Sequence, residues 1–414
     1  MQSKRTHHIL SVFALAFLVR CFAYVLMGRL AHPKFWEYHE IAENFLLGKG
    51  LMYSFLNNIP VYAFAEPFYS ILSASIYFLT NHNYAIFGIV NMLASSGITI
   101  AVYYLGKQLA DERVGLLAAL LTALHPGLIY FATQFHPLTF NALFVTLIIL
   151  ALGRLYQTPK VKNAIASGIL IGLAFLDRSL CLIFIPIAAG LLVFSNTSAR
   201  IKLKLCIIVI LISLVPVTAW SIRNYILFHK VVVGRSSAGY LFWIGNNPRT
   251  TSSAMYDKNT PMIYTLDKET LKKFNTMNEL EIDAYLMNKG MSFVKSRPYV
   301  FLWNWAKRFY YFWWFPPFIG MQYPPAWLVA YKIFYMGVFF TAIYALISIT
   351  TRREKIKDIN LPDVYLVVLC VLALAAAQSL FYVEGRHRWA IEPILMIFSS
   401  WTIVQILTLK KRIV

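Results

Sequence analysis

Apolar residues gather in stretches near membrane-crossing length that recur along nearly the whole chain, at about 9–27, 67–80, 84–105, 114–132, 139–152, 164–176, 180–194, 205–220, 326–349, 364–383 and 390–409. Such a series predicts an all-α polytopic membrane protein with 10–11 transmembrane helices, on the order of one crossing per stretch. Because the stretches continue to the end of the chain, 9–27 reads as a first span and anchor, not as a cleaved leader.

The polar breaks differ in kind. Short ones carry Lys4/Arg5, Arg154/Lys160/Lys162, Arg200/Lys202/Lys204, Arg352/Arg353/Lys355/Lys357 and Lys410/Lys411/Arg412, and the positive-inside rule sets all of them on the cytoplasmic side of the cell membrane, with both termini. This works if 67–105 makes one net crossing, with 67–80 re-entrant or interfacial, for ~10 true crossings. The opposite, extracytoplasmic face then receives the loop 28–66, the corner Phe135–His136–Pro137, the turn Asp177–Arg178, the long segment 221–325 and the run Glu384–Arg388. Three regions are expected: 1–220, a transmembrane catalytic module holding the first outer loop 28–66; 221–325, an extracytoplasmic loop region with an aromatic interfacial helix in 301–318; and 326–414, the last transmembrane helices. Residues 269–295 read as one or two amphipathic helices.

Composition agrees with lipid as the main solvent: of 414 residues, 59% are hydrophobic and 14% charged. The net charge of +20 is accounted for by orientation and membrane lipids, and no nucleic-acid partner is expected. Cys21, Cys181, Cys206 and Cys370 all sit in apolar runs without paired spacing, so neither a disulfide framework nor a zinc site is indicated.

Candidate chemistry lies on the outer face. In the first outer loop, FWEYHEIAENFLLGKG, helical spacing from Trp36 puts Ile41, Phe45 and Leu46 on one side and Glu37, Glu40 and Glu43 on neighbouring positions, a juxtamembrane helix ended by Gly48 and Gly50. A carboxylate presented there suits a general base toward a hydroxyl acceptor, with a plain solvated face as the simpler reading. Glu66, before Pro67, suits pairing with a cation or work beside Glu37. Arg178, Arg223, Arg386 and Arg388 lie at or near outer span ends, where guanidinium forks clamp phosphate oxygens or snorkel to headgroups. Tyr38, His39, His136 and Asp177 are supporting candidates. Arg20, Lys332 and Glu392 are internal exceptions, and Arg20 and Glu392 are expected to pair.

The ordered series EYHEIAENFLLGKGL, AEPFYSILSASIYFL, VGLLAALLTALHPGLIYFATQFHPLTF, SGILIGLAFLDRS and WSIRNYILFHKVV resembles the C-superfamily of membrane glycosyltransferases, and is most similar to bacterial members akin to protein O-mannosyltransferases and the lipid A aminoarabinose transferase. The resemblance runs over about 10–400. It implies a transferase that takes a sugar from a polyprenyl-phosphate carrier at the outer face and passes it, with inversion, to an unidentified lipid, glycan or protein acceptor. It also implies an acidic base in the first outer loop, in a motif like Asp-Glu-x-x-Tyr-x-x-Ile-Ala. Matching Tyr38, Ile41 and Ala42 to that motif puts Lys34 where the aspartate stands, so Glu37, one helical turn on, is the substitute, with Glu40 and Glu66 behind it. QFHPLTF carries His136 and no carboxylate, so a divalent metal is not supported and no other cofactor is implied. Arg178 in FLDRS matches a family arginine, and RHRWAIEP resembles the family's basic signature before the last span.

Two other classes fit parts of the pattern. A transporter or flippase for a lipid-linked saccharide needs the same groove and basic contacts, but favours ionisable groups at the midplane and repeated halves. A non-catalytic scaffold is favoured only by the missing aspartate.

Overall fold

A computed structural model describes residues 2–56, 59–316, 323–351 and 359–413, with the side chains of 2–6 and 409–413 left aside. Each apolar stretch read from the sequence falls on helix. In chain order these are α1 (Gln2–Leu26), a surface helix α2 (Glu37–Leu46), α3 (Pro67–Thr80), α4 (Tyr84–Leu109), α5 (Glu112–Ala123), α6 (Pro126–Ala132), α7 (Leu138–Gln157), α8 (Val161–Asp177), α9 (Phe184–Phe194) and α10 (Ala199–Phe228). The outer segment adds α11 (Ala238–Gly245), α12 (Lys268–Phe274), α13 (Glu279–Ser296) and α14 (Pro298–Trp313) before α15 (Pro325–Thr351), α16 (Leu361–Gln378), the single turn α17 (Gly385–Arg388) and α18 (Glu392–Ile413).

Six of these, α1, α4, α7, α10, α15 and α16, are long and apolar enough to cross a membrane, and α5 with α6 forms a pair bent by 53° that counts as a seventh if the two are one broken span. His125 and Pro126 make the bend: the His125 ring accepts the Leu128 amide at 3.1 Å and proline opens the new helix. The chain is thus a multi-pass, all-α membrane protein, and α9 and α18 are shorter apolar helices beside the long ones.

The segment 67–80, expected to be re-entrant or interfacial, is the short helix α3. At ~1.5 Å per residue its 14 residues span less than a bilayer core. It runs alongside α2: the Tyr77 hydroxyl lies 3.2 Å from His39, and His82, just past its end, lies 3.1 Å from Glu43. The buried face of α2 is Tyr38, Ile41, Ala42 and Asn44, while Phe45, expected on the inner side, is exposed.

A close helix pairing sets the position of the site. Gly168 and Gly172 of α8 meet α10 so closely that a Cβ on Gly172 would lie 2.6 Å from Pro216 Cγ and 2.9 Å from the Ser213 carbonyl. Small residues four apart let two membrane helices touch backbone to backbone. The outer end of α8 is then fixed, and with it Asp177 and Arg178.

Two of the hydrophobic cores position the site. The larger runs through the bundle. The smaller lies in the outer segment, where Trp243, Ile244, Met262, Phe274, Ile282 and Leu286 enclose Phe55, Ile59 and Val61 of the first outer loop. Those loop residues form a hairpin, β2 (Tyr53–Phe55) against β3 (Ile59–Val61). The amphipathic stretch 269–295 is helical as expected, and Asn278 and Glu281 close a capping box at the start of α13. In α14, Tyr299 and Trp303 stand exposed while Arg308 is buried and donates to the Ser379 carbonyl (2.6 Å), the Asn246 side chain (3.1 Å) and the Gly245 carbonyl. The basic cluster 352–357 and the end of the aromatic run past 316 lie outside the described residues.

Arg20 and Glu392 do not pair. Arg20 donates to Ser95 (2.7 Å) and to the carbonyls of Ala16 and Ala123 (both 3.0 Å), joining α1 to α4 and α5. Glu392 takes Arg388 at 2.6 Å, with Tyr331 and His125. Lys332 rests over the Phe315 ring, 5.3 Å from its centre.

Candidate active site

The segments assigned to the outer face converge on one cavity of about 600 Å³. Glu37 and Tyr38 come from the first outer loop, Glu66 from the start of α3, His136 from the α6–α7 corner, Asp177 to Ser179 from the end of α8, Arg235 and Tyr240 from the segment after α10, and Arg386 and His387 from α17. The volume suits a sugar-sized head group.

Backbone pairing holds the first loop in place. β1 (Lys34–Phe35) pairs in parallel with β4 (Gln134–Phe135), and the Trp36 indole donates to Gln134 at 3.0 Å. Glu37 is therefore delivered to the cavity at the first turn of α2, where the helix dipole favours a carboxylate. It is half-buried, and among the described residues it has no hydrogen-bond or ion-pair partner.

Glu66 is committed instead. Its carboxylate accepts the Ser179 amide (3.0 Å) and hydroxyl (2.8 Å) and faces Arg235 at 3.4 Å. Burial pushes its pKa up, but Arg235 and Ser179 outweigh this and hold it below the ordinary carboxylate value. The expected pairing of Glu66 with a cation is therefore present. Arg235, which sequence reasoning missed, is set by its own loop: its Nε donates to Ser237 (2.6 Å) and the Phe64 carbonyl (3.1 Å), and the next amide, Ser236, donates to Ala63 at 2.7 Å. Only its place three residues before AGYLFWIG marked it.

Arg178 donates to Gln378 at 2.7 Å, and Arg386 pairs with Glu384 at 2.9 Å over the face of Trp36. Three guanidinium groups thus line one cavity. The two cavity histidines are neutral beside them: His136 Nδ1 accepts the Leu138 amide at 3.1 Å, and His387 Nδ1 accepts the Glu384 amide at 3.2 Å. Burial drives both imidazoles well below their ordinary pKa, and Arg386 and Arg178 press the same way. Asp177 is 4% exposed and both its oxygens lack a hydrogen-bond partner.

The remaining candidates lie outside the cavity lining. Glu40 accepts the Ser54 amide at 2.8 Å and so ties α2 to the hairpin. His39 stacks on Phe35 with ring centres 3.7 Å apart. Arg223 donates to the Tyr62 carbonyl at 3.0 Å over the Trp220 ring. Arg388, adjacent in sequence to two cavity residues, points the other way: fully buried, it binds Glu392, the Tyr331 hydroxyl (2.7 Å) and the carbonyls of Phe312 (2.9 Å) and Trp314 (3.0 Å). No group of three or more His, Cys, Asp or Glu side chains among the described residues is placed to hold a metal ion.

A family model described as dolichyl-phosphate-mannose-protein mannosyltransferase matches residues 66–220, which run from Glu66 through most of α10. Among solved structures, the oligosaccharyltransferase of Archaeoglobus fulgidus in its apo form shares the fold over 97% of this chain, with TM-score 0.56 and 14% identity. The same organism's oligosaccharyltransferase AglB, in complex with an inhibitory peptide and a dolichol-phosphate, matches with TM-score 0.56 and 12% identity over 97% of this chain. In both cases the chain spans 50% of the length of the matched protein. A comparison with curated proteins gives no match. The resemblance to the C-superfamily of membrane glycosyltransferases is borne out by the family model and the shared fold.

Proposed function

We propose that the chain is a membrane glycosyltransferase that moves a sugar from a polyprenyl-phosphate carrier to a hydroxyl acceptor in this cavity, on the extracytoplasmic face. The observation that carries the reading is the pairing, in one cavity, of an unengaged carboxylate, Glu37, with the guanidinium groups of Arg178, Arg386 and Arg235. The family match over 66–220 and the fold shared with a protein solved with dolichol-phosphate support the donor class.

The chemistry follows from those groups. Glu37 takes the proton of the acceptor hydroxyl as its oxygen attacks the anomeric carbon. The bond between that carbon and the carrier phosphate breaks, and its electron pair leaves with the phosphate. Attack from the face opposite the leaving group inverts the anomeric centre. The departing phosphate gains charge, which Arg178 and Arg386 stabilise, Arg178 bearing on it from the outer end of α8. Arg235 holds Glu66 ionised and buried, so this pair builds the wall and leaves Glu37 as base. Lys4, Arg5 and the basic turns between helices face the cytoplasm, as do both termini.

The test is reconstitution of the purified protein in liposomes with polyprenyl-phosphate sugars and a mixture of lipid and glycan acceptors. Sugar transfer with release of free carrier phosphate in equal amounts supports the reading. Movement of intact donor between leaflets without carrier release favours the transporter.

A further inference from the structure

We infer that Asp177 reads the transferred sugar, hydrogen-bonding two neighbouring hydroxyls of its ring through its two carboxyl oxygens and so requiring a donor with a free vicinal diol at that place. This rests on the transferase reading of the same cavity. Both carboxylate oxygens of Asp177 are without a hydrogen-bond partner although the residue is 4% exposed and lines the cavity. Burying a carboxyl without partners is costly, and the cost is removed when a ligand supplies the missing donors.

The neighbouring donors are largely turned elsewhere. Arg178 gives one nitrogen to Gln378, Arg235 is on Glu66 and Ser237, and Ser179 is on Glu66. The Asn141 amide, 3.8 Å from the Cys181 sulfur, lies near enough to Asp177 to lower its pKa but makes no close hydrogen bond to it. The protein therefore leaves two carboxyl oxygens, coplanar and about a diol's width apart, to be satisfied from the cavity.

Charge decides which part of the donor they meet. The forks of Arg178 and Arg386 attract a phosphate, whereas Asp177, whose pKa burial and Glu66 push well above the ordinary carboxylate value, offers it no cation. A neutral polyhydroxylated ring donates to Asp177 readily, and Tyr38, Phe175, Tyr240 and Tyr382 supply flat surfaces in the same lining. The cavity is thereby divided into an arginine side for the carrier phosphate and an Asp177 side for the sugar.

The test uses binding to the detergent-purified protein, so that transfer is not required. The probes are polyprenyl phosphate without sugar, polyprenyl-phosphate mannose, glucose and galactose, and the mono-deoxy forms of whichever binds best. The wild-type protein is expected to lose roughly tenfold in affinity for each of two adjacent deoxy positions. Asp177→Ala is expected to bind the parent and those deoxy donors equally, with sugar-free carrier bound as by the wild type. Asp177→Asn, which keeps the shape, guards against misfolding and should lose at least half of the discrimination on a logarithmic scale. If either folded variant keeps the wild-type ranking of deoxy donors, the inference is wrong while the transferase reading stands. If the wild type shows the ranking but never releases carrier in liposomes, the transferase reading fails and the sugar contact stands. If no sugar-bearing carrier binds better than the sugar-free one, Asp177 reads no sugar.

Discussion

Three carboxylates meet in the cavity in three different states, and the difference assigns their work. Glu37 is half-buried and unengaged, Glu66 is buried and paired, and Asp177 is buried with no partner. Glu66→Gln should therefore act through folding: it breaks a buried pair and unsatisfies Arg235, costing about 3–5 kcal/mol. The check is a lowered unfolding midpoint in detergent, with residual transfer by the protein that remains folded. The arginines divide in the same way. Arg178→Lys and Arg386→Lys keep charge but lose the fork, so donor KM should rise roughly tenfold with the unfolding midpoint little changed. Arg388→Lys should lower the midpoint instead, because its guanidinium holds two carbonyls, a tyrosine and Glu392 at once. Donor kinetics and thermal unfolding on the three variants separate these outcomes.

His136 and His387 add a pH dependence whose sign is fixed. Their folded pKa values lie well below the ordinary one, so below about pH 6.5 the unfolded chain binds protons that the folded chain does not. Stability must then fall as pH drops from 7 toward 5. The Glu66 contribution is lost only at lower pH, as protons titrate its depressed carboxyl. His387→Gln should make the unfolding midpoint less steep in pH over that window, and an unchanged slope would contradict the neutral buried imidazole.

At the scale of elements, α8 carries both Arg178 and Asp177 to the cavity, and its seat on α10 depends on glycine. Gly172→Val puts methyl groups into Pro216 and the Ser213 carbonyl, which should cost about 1–3 kcal/mol and impair donor binding through the displaced helix end. Gly190→Ala, where a Cβ meets nothing within 4 Å, serves as the neutral control. Thermal unfolding and donor affinity of the two variants check this.

The apolar stretches were legible because lipid exposure and span length write themselves into consecutive residues, so α3 begins and ends at Pro67 and Thr80 as its stretch does. The convergence of the outer segments was legible too, since end-of-span positions on one face share a side. Pairwise geometry was not. RHR reads as one basic cluster, but a single helical turn sends Arg386 and His387 to the cavity and Arg388 into the bundle. Glu37 and Glu40 are neighbours on a helix, and only the hairpin amide of Ser54 tells them apart. Arg235 lay hidden because its role depends on Glu66, far away in sequence.

For the whole molecule, the account requires that the cavity open to the side opposite the basic turns. Single cysteines at the exposed positions Lys49 and Lys258 should react with a membrane-impermeant reagent from outside, and one at Ser198 only after permeabilisation. Ser252, though in the outer segment, is 2% exposed and unsuited as a probe. The chain spans half the length of the matched oligosaccharyltransferase, and the cavity is lined by residues from 37 to 387 of this chain.

On the proposed reading, this one cavity both holds the lipid-phosphate sugar and removes the acceptor proton. The most direct measurement is donor affinity and single-turnover transfer by Glu37→Gln beside the wild type in proteoliposomes. The account predicts unchanged donor affinity with transfer slowed on the order of a hundredfold or more. Transfer at the wild-type rate by Glu37→Gln would contradict it.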